Sequence, residues 1–547
     1  MKRTAMWIAA PALVVGVAYG TDAIACGCFA RPAPDVDILQ AGELVVFAER
    51  DGKVTMQVQI SYSGPAENFA WLLPVPAEPE LSIGAEELFL ELDRRTQPTF
   101  NAQIQFAQNC GGANARDAAA GRTLDGGVQA PPAPEIEVSR QFVGPYEAVV
   151  VDASNREDLA AWLNANGFFV ADPDGTALEP YVRPGAYFLA LKLQSDRSSG
   201  DIAPIVLEFD AAMPMIPISL TRVGATPDMP IYVWVLGEAR AIPRNFRNVV
   251  INMEHIDWLR GGSNYQRVVT RAVDEAEGHH AFVTEFAGRT SQFDWTLAPI
   301  GRFGSSETLE TVTDAADFTT ELRRRNFPWR DRMVNILRDT FPFPPGVASA
   351  GVPENIYYAG LDFYLTTYRD QFPEQFEGAD FSFDPVELTA RLWEDIVQPM
   401  KDGHALLEAH PQLTRFFTTL SPDEMSLDPA FSFNPDLPDV SNIHTAEVTL
   451  ECDGTGEVVL PDGRVRAVDE VGDAAIDRAP ATRRIEILME EGPAQVEVDN
   501  EMALMPMNTL DGSSLNRSCG CSATNASGGG GALLFLLVMG LVVRRRR

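Results

Sequence analysis

The sequence predicts an α+β protein with a β-rich, sandwich-like N-terminal part, a helical middle part, a small β segment and a hydrophobic C-terminal helix. Two periodicities indicate this class. Every second residue from 54 to 62 is apolar, as in a strand with one buried face. Apolar residues from Leu388 to Met400 recur every four positions, as on one helix face, shortly after Asp384-Pro385, a pair typical of a helix start. The 547 residues are 45% hydrophobic, which is enough for a large core.

Changes in this patterning set the predicted domain boundaries. Strand-like runs dominate to about residue 305, helical spacing follows, and alternation of period two returns at Ala446. A stretch rich in Gly, Ala and Pro interrupts the first part and is typical of a mobile surface insertion. We therefore predict a signal peptide at 1–25, a β-rich domain at 26–305 with an insertion at 111–134, a helical region at 306–440, a small β segment at 441–505 and a C-terminal tail at 506–547.

The N-terminus has the three parts of a secretory signal peptide. Lys2 and Arg3 are followed by an apolar run to Gly20, and a small-residue cleavage motif ends at Ala25. Cleavage there leaves Cys26 as the first mature residue. The chain is therefore predicted to pass through the export machinery, and attachment of a lipid to Cys26 and retention as an uncleaved anchor are the alternatives.

The C-terminus carries a second predicted address. Cys519 and Cys521 precede a Gly-rich spacer, an unbroken apolar run from Ala532 to Val543, and four arginines that end the chain at Arg544–Arg547. The apolar run predicts a short membrane helix, and the arginines would stay on the inner side. This order of elements resembles the myxobacterial C-terminal sorting signal, which implies a tail-processing protease as a partner. An ordinary tail anchor is the alternative.

The charge balance excludes one class of partner. Lysine and arginine together number 43 and aspartate and glutamate 77, so the formal net charge is −34. A surface of this sign repels phosphate backbones, and we predict no nucleic-acid binding. An acidic surface suits an exported protein that must not adhere to anionic lipids.

Six cysteines are few for this length, but an exported protein can form disulfides. The candidates are Cys26, Cys28, Cys110 and Cys452. We predict that Cys110 pairs with Cys26 or Cys28, the nearest in sequence, and that Cys452 pairs with the remaining one. The Cys-Gly-Cys pairs at both ends have no nearby histidines at zinc-finger spacing.

The densest polar constellation covers residues 274–280 (DEAEGHH), with Glu285 downstream. His279, His280 and Glu285 are the candidate ligands of a divalent metal, the one cofactor that the sequence suggests, or an acid–base pair. The alternative is a solvated helix end, where imidazolium interacts favourably with the helix dipole.

A second cluster carries the opposite charge. Five arginines lie between Arg323 and Arg332, together with Phe327 and Trp329. Such a segment could grip an anionic polysaccharide or lipid headgroup. The alternative is that it docks on the protein's own acidic surface.

Several stretches resemble the bacterial domain-of-unknown-function family 2330. The resemblance implies an exported bacterial protein, and it brings no activity, substrate or site residue. The stretches are CGCF (26–29), FAWLLPVP (69–76), VGPYEAVVVDA (143–153), AWLNANGFF (161–169), YVRPGAYFLALKL (181–193), AFVTEFAG (281–288) and LTRFFTTLSPDEMSLDP (413–429).

The leading interpretation is a non-enzymatic structural or binding protein of the cell envelope or outer surface, anchored in the membrane through its C-terminus. It rests on the two addresses and on the lack of the standard catalytic motifs GxSxG, HExxH and GxxxxGK[ST]. The alternative is an exported metal-assisted hydrolase that uses the region of His279 and His280. The sequence leaves the ligand and the oligomeric state open.

Overall fold

The computed structural model describes residues 28–29, 40, 42–60, 62, 68–106, 137–170, 176–195, 201–297, 302–451, 455–468 and 479–501. These residues belong to one compact unit. The chain alternates strands with short helices up to Arg289, continues as helices to Ala409, and returns to strands.

The strands of the described chain, in order, are β1 (Cys28–Phe29), β2 (Glu43–Arg50), β3 (Lys53–Gln59), β4 (Ala70–Val75), β5 (Glu80–Ile83), β6 (Thr99–Phe106), β7 (Glu137–Val143), β8 (Tyr146–Asp152), β9 (Tyr187–Leu193), β10 (Ile205–Asp210), β11 (Met229–Gly237), β12 (Arg240–Pro243), β13 (Arg247–Ile251), β14 (Ala281–Arg289), β15 (Gln412–Leu420), β16 (Phe431–Asn434), β17 (Ile443–Leu450), β18 (Gly456–Val459), β19 (Val465–Val468), β20 (Thr482–Ile487) and β21 (Gln495–Asp499).

The α-helices are α1 (Glu86–Thr96), α2 (Arg156–Ala165), α3 (Ile218–Thr221), α4 (Tyr265–Asp274), α5 (Ser306–Leu309), α6 (Ala315–Arg324), α7 (Asp331–Thr340), α8 (Pro345–Ser349), α9 (Glu354–Ala359), α10 (Leu361–Phe363), α11 (Arg369–Gln371), α12 (Pro385–Leu392) and α13 (Gln398–Ala409). The π-helical turns Tyr364–Tyr368 and Trp393–Val397 join α10 to α11 and α12 to α13.

A ten-stranded sheet in the order β21-β20-β13-β14-β15-β11-β2-β3-β10-β5 forms the centre of the molecule. It is antiparallel except for the pairs β11–β2 and β13–β14. Both faces of its middle strands are buried: Val45 and Phe47 enter one hydrophobic cluster, and Val46 and Ala48 enter the other. This explains the continuous apolar run of β2, because a strand covered on both sides needs no polar face.

Each face of the large sheet shares its cluster with a different layer. A five-stranded antiparallel sheet, β1-β4-β9-β8-β7, contributes Trp71 and Tyr146 to the cluster that contains Phe47. The helices from α5 to α13 contribute Phe318 and Leu392 to the cluster that contains Val46. The predicted α+β class is confirmed, and the sheet lies between a β layer and a helical layer.

The elements predicted from local patterning are present. The alternation predicted from 54 to 62 lies mostly in β3, which ends at Gln59 and pairs with β2 across a turn at Asp51-Gly52, both with positive φ. Asp384 caps α12 through its Oδ1, which accepts hydrogen bonds from the backbone N–H of Val386 at 2.8 Å and of Glu387 at 3.3 Å. The apolar stripe of this helix is buried against the second cluster.

Two segments join the large sheet from outside the predicted β-rich domain. The helical region 306–440 also contains β15 and β16, and β15 lies in the middle of the large sheet between β14 and β11. The small β segment 441–505 divides, because β17 to β19 pair with β6 in a four-stranded sheet and β20 and β21 extend the large sheet. Register here depends on pairing with distant strands, which local patterning does not report.

No helix in the described ranges is long and apolar enough to cross a membrane. The predicted membrane helix at Ala532–Val543 and the arginine cluster Arg544–Arg547 lie outside the described residues, as do the signal peptide and the insertion 111–134. Cys26, Cys110, Cys452, Cys519 and Cys521 lie outside them too, while the backbone of Cys28 is part of β1. The disulfide pairing therefore stays a prediction.

Candidate metal centre

Three side chains from separate segments meet at the carboxyl end of α4. Asp274 is the last residue of α4, and His279 lies in the turn that leads into β14. Glu424 comes from the loop after β15. We call these three residues the His279 cluster.

Local sequence explains this placement. Val268, Val269, Ala272 and Val273 form the buried face of α4 and hold the helix against the sheet. Beyond its end, Gly278 and His279 both adopt left-handed backbone conformations, with φ of 68° and 59°. This conformation costs glycine little but is unusual for histidine, and such residues concentrate at functional sites.

The polar atoms of the His279 cluster lie close together. His279 Nδ1 is hydrogen-bonded to Glu424 Oε1 and lies 3.8 Å from Asp274 Oδ1. Glu424 is held in turn, because its Oε2 accepts a hydrogen bond from the backbone N–H of Ser421 at 2.7 Å. One ligand atom from each of the three side chains lies within 4.8 Å of the other two.

The site carries an excess of negative charge. Partial burial raises the pKa of the Asp274 carboxyl, and the nearby carboxylates of Glu424 and Asp228 raise it further, while His279 lowers it. Asp228 reaches the same loop, since its Oδ1 accepts a hydrogen bond from Ser421 Oγ at 3.2 Å. Two carboxylates beside one imidazole, with the carboxylate of Asp228 acting on Asp274, form a site that a cation would stabilise.

The donor set suits a divalent transition metal. One imidazole nitrogen and two carboxylate oxygens are ligand types of zinc, manganese and iron. Metal–ligand distances of about 2.1 Å place neighbouring ligand atoms of a tetrahedral site roughly 3.4 Å apart. The 3.8 Å between His279 Nδ1 and Asp274 Oδ1 is close to that spacing, whereas His279 Nδ1 and Glu424 Oε1 are in hydrogen-bond contact and move apart when both bind one ion. The side chains of Asp274 and His279 are 47% and 40% exposed, so an ion can enter from solvent.

The structure brings together only part of the predicted ligand set. His280 lies beside the cluster, and its Nε2 is 3.2 Å from the Glu424 carbonyl oxygen and 3.1 Å from Ser426 Oγ. This contact supports the loop that carries Glu424. Among the described residues, the three side chains whose ligand atoms lie close enough to hold one ion are those of the His279 cluster. Neither His280 nor Glu285 belongs to this group.

Glu285 lies in the interior of the large sheet. The register of β14 against β15 shifts between Thr284 and Phe286, so Glu285 stands at a bulge, a device that re-aims a side chain. Its carboxyl pairs with the Arg415 guanidinium, and both side chains are almost fully buried. Burial raises the pKa of the Glu285 carboxyl. This residue therefore belongs to a buried ion pair.

Sequence reasoning missed Glu424. It lies 145 residues from His279, and only the pairing of β15 with β14 brings the two segments together. The available signal was the acidic turn Ser421-Pro422-Asp423-Glu424 directly after a strand-like run. Asp274 belonged to the recognised polar constellation, although the sequence did not single it out as a ligand.

The arginine segment pairs with the protein's own acids. Arg324 and Arg325 both bind Glu321, and Arg323 binds Asp362 at 3.0 Å and stacks over Trp329 at 3.6 Å from the ring centroid. Two further ion pairs dock the segment on neighbouring elements, between Arg332 and Asp395 at 3.0 Å and between Arg330 and Glu86 at 3.7 Å. These contacts match the interpretation that the segment docks on the protein's own acidic surface.

The fold and this site define a class: an acidic α+β protein built on a large mixed sheet, with a carboxylate–histidine cluster at its surface. A family model described as an uncharacterized protein conserved in bacteria (DUF2330) matches residues 21–334, more than half of the chain. The chain therefore belongs to this family, and the resemblance seen in the sequence is confirmed. The stretch at 413–429, which carries Glu424, lies beyond the matched residues. No curated protein and no solved structure matches the chain.

Proposed function

We propose that this protein is an exported, envelope-attached binding protein that holds a divalent cation at the His279 cluster. The observation that carries the proposal is the convergence of Asp274 and His279, from the end of α4 and the turn after it, with Glu424 from the loop after β15. Three protein ligands leave further coordination positions on the ion open. An oxygen-bearing ligand from outside the protein can bind there, which would make the cation the centre of recognition.

Export and attachment are supported by the sequence. The signal peptide at 1–25 directs the chain outward, and the tail at Ala532–Val543 with Arg544–Arg547 would hold it in the membrane. The net charge of −34 suits a surface that avoids anionic lipids while it attracts cations.

A calorimetric titration tests cation binding. The purified full chain is stripped with a chelator and titrated with Zn²⁺ and, separately, with Mn²⁺. We expect binding that Glu424→Gln and His279→Ala each weaken at least about tenfold, because loss of a ligand costs no less than loss of an outer-shell partner. The proposal would be contradicted if the titration of Glu424→Gln superimposed on that of the wild type.

The chain offers a matched control. On α13, His404 Nε2 lies 3.5 Å from Glu408 Oε1, so this is another imidazole–carboxylate pair. Within the described residues no third ligating side chain joins it. Glu408→Gln removes the same charge as Glu424→Gln and should leave the titration unchanged. The melting temperature of each metal-free variant shows that a lost affinity is not caused by unfolding.

A further inference from the structure

A cavity of about 290 Å³, which we call the Arg240 cavity, lies beside β13, β14 and β20. It opens next to Tyr265, the first residue of α4, whereas Asp274 is the last. At a rise of 1.5 Å per residue these helix ends are roughly 14 Å apart. The residues of the His279 cluster do not line the cavity, so the two features are separate.

A buried cation with unused hydrogen-bonding capacity lines this cavity. Arg240 is only 8% exposed. Its Nη1 donates to the Pro438 carbonyl oxygen at 2.6 Å, while its Nε has no hydrogen-bond partner. Glu486 and Asp439 act on it only through longer-range attraction. A buried guanidinium without a close carboxylate is costly, and an anionic group in the cavity would complete its pairing.

Two carboxylates, those of Glu285 and Glu486, also line the cavity. Glu285 Oε2 accepts from Arg415, and the Tyr265 hydroxyl also bonds this carboxyl; since a carboxylate offers about four lone-pair sites, it can still accept from a ligand. Glu486 Oε2 accepts a hydrogen bond from Asn248 Nδ2 at 2.9 Å, and its Oε1 lies 3.8 Å from Nη1 of Arg484, a second guanidinium in the lining. The cavity therefore presents both a donor and acceptors that are not saturated.

The rest of the lining is mixed, and its apolar part suits the body of a small organic ligand. A volume near 290 Å³ lies at the small end of ligand pockets and fits a molecule of about ten heavy atoms. The apolar side chains of the lining are Pro98, Val249, Val250, Ile251, Met253, Val283 and Val440, and the polar ones besides those named above are Thr284 and His444.

We propose that the Arg240 cavity binds a free α-amino acid with an apolar side chain. The carboxylate of the ligand pairs with Arg240, and its ammonium group binds the carboxylates of Glu285 and Glu486. The side chain of the ligand packs on the valines and Met253. Only a zwitterion satisfies the cation and the acceptors together, because a simple anion leaves the acceptors unused and a simple amine leaves Arg240 unpaired.

Three probes of one shape test this assignment with the full chain. L-Leucine carries both charges, 4-methylpentanoate lacks the ammonium group, and isopentylamine lacks the carboxylate. We expect calorimetry to show that L-leucine binds at least about tenfold more tightly than either, since a hydrogen bond to a charged group contributes roughly 1.5–3 kcal/mol. The proposal would be overturned if 4-methylpentanoate bound as tightly as L-leucine. It would also be overturned if L-leucine did not bind up to about 10 mM, a Kd limit that corresponds to only about 3 kcal/mol.

Two variants and a control localise the binding. Arg240→Gln should lower the affinity for L-leucine at least about tenfold. Met253→Trp, which fills the cavity and keeps Arg240, should abolish binding, and it serves as the test if Arg240→Gln does not fold. Arg244→Gln is the control, because Arg244 is exposed, lies 3.5 Å from Glu490 and does not line the cavity. L-Leucine binding that survives Arg240→Gln and Met253→Trp unchanged would overturn the assignment.

Discussion

Replacing Arg415 with methionine should destabilise the fold severely and in a pH-dependent way. Arg415 and Glu285 are 3% and 1% exposed at their side chains, and the guanidinium also binds Asp93 Oδ1 at 2.8 Å. Its planar group lies about 5 Å from the rings of Tyr232 and Trp234. Methionine keeps most of the volume but leaves Glu285 buried without its cation. Loss of one partner of a buried pair costs about 3–5 kcal/mol, and we expect this loss at pH 7.

The pH dependence follows from the carboxyl that remains. Burial already raises the pKa of Glu285 above its value in the unfolded chain, and removal of the cation raises it further. Below pH 4.5 the Glu285 carboxyl is neutral in both the folded and the unfolded chain, and its contribution to stability is fully present. It is lost as the pH rises through the folded-state pKa, with a limiting slope of about 1.4 kcal/mol per pH unit. The variant should therefore recover much of its stability in mild acid.

Urea unfolding followed by tryptophan fluorescence, repeated from pH 4.5 to 8, measures this effect. Glu285→Gln should cost less than Arg415→Met, because Arg415 keeps Asp93 as a partner. The double variant should be more stable than Arg415→Met alone at pH 7, since it buries no unpaired charge. A loss below about 1 kcal/mol in Arg415→Met, with no slope against pH, would refute this reasoning.

Three further predictions concern a helix cap, a surface ion network and the tail. Asp384→Ala removes the oxygen that accepts from Val386 and Glu387 and should lower the free energy of unfolding by about 1 kcal/mol, whereas an unchanged urea midpoint would show that the cap is dispensable. Hydrogen bonds from Arg324 and Arg325 lower the pKa of Glu321 to about 2, so the wild type should be more stable than Glu321→Gln by an amount that is full above pH 4.5 and declines as the pH falls toward 2. A stability difference that stays constant across this pH range would contradict the pairing. Deletion of residues 532–547 should release the exported protein in soluble form, and a truncated protein that stays attached to the cell surface would assign the anchor to Cys26 instead.

Local signals in the sequence were sufficient for the individual elements. The alternation of β3 and the Asp384 cap of α12 each depend on residues within about ten positions, and the structure confirms them. The position of β15 could not be found in this way. The nine residues of β15 are mostly apolar residues and threonines, with a single arginine. The strand lies in the centre of the sheet because it pairs with β14 and β11, which come from distant parts of the chain.

The same limit applies to the candidate site. His279 was recognisable, because two histidines followed an acidic helix end. Glu285 is near in sequence but points into the core from a bulge, a feature that period-two patterning does not reveal. Glu424 is remote in sequence and adjacent in space. Short-range patterning therefore pointed to the segment that holds Asp274 and His279, while the pairing of β15 with β14 brings Glu424 to it.

The most direct test of the cation site is anomalous X-ray scattering at the manganese or zinc absorption edge, from crystals of the protein grown with that metal. We expect a peak within bonding distance, about 2.0–2.2 Å, of His279 Nδ1 and of carboxylate oxygens of Asp274 and Glu424. The peak should be missing from crystals of Glu424→Gln and present in those of Glu408→Gln. The account would be contradicted if, at millimolar metal, the side chains of the His279 cluster were well ordered but no anomalous peak lay between them.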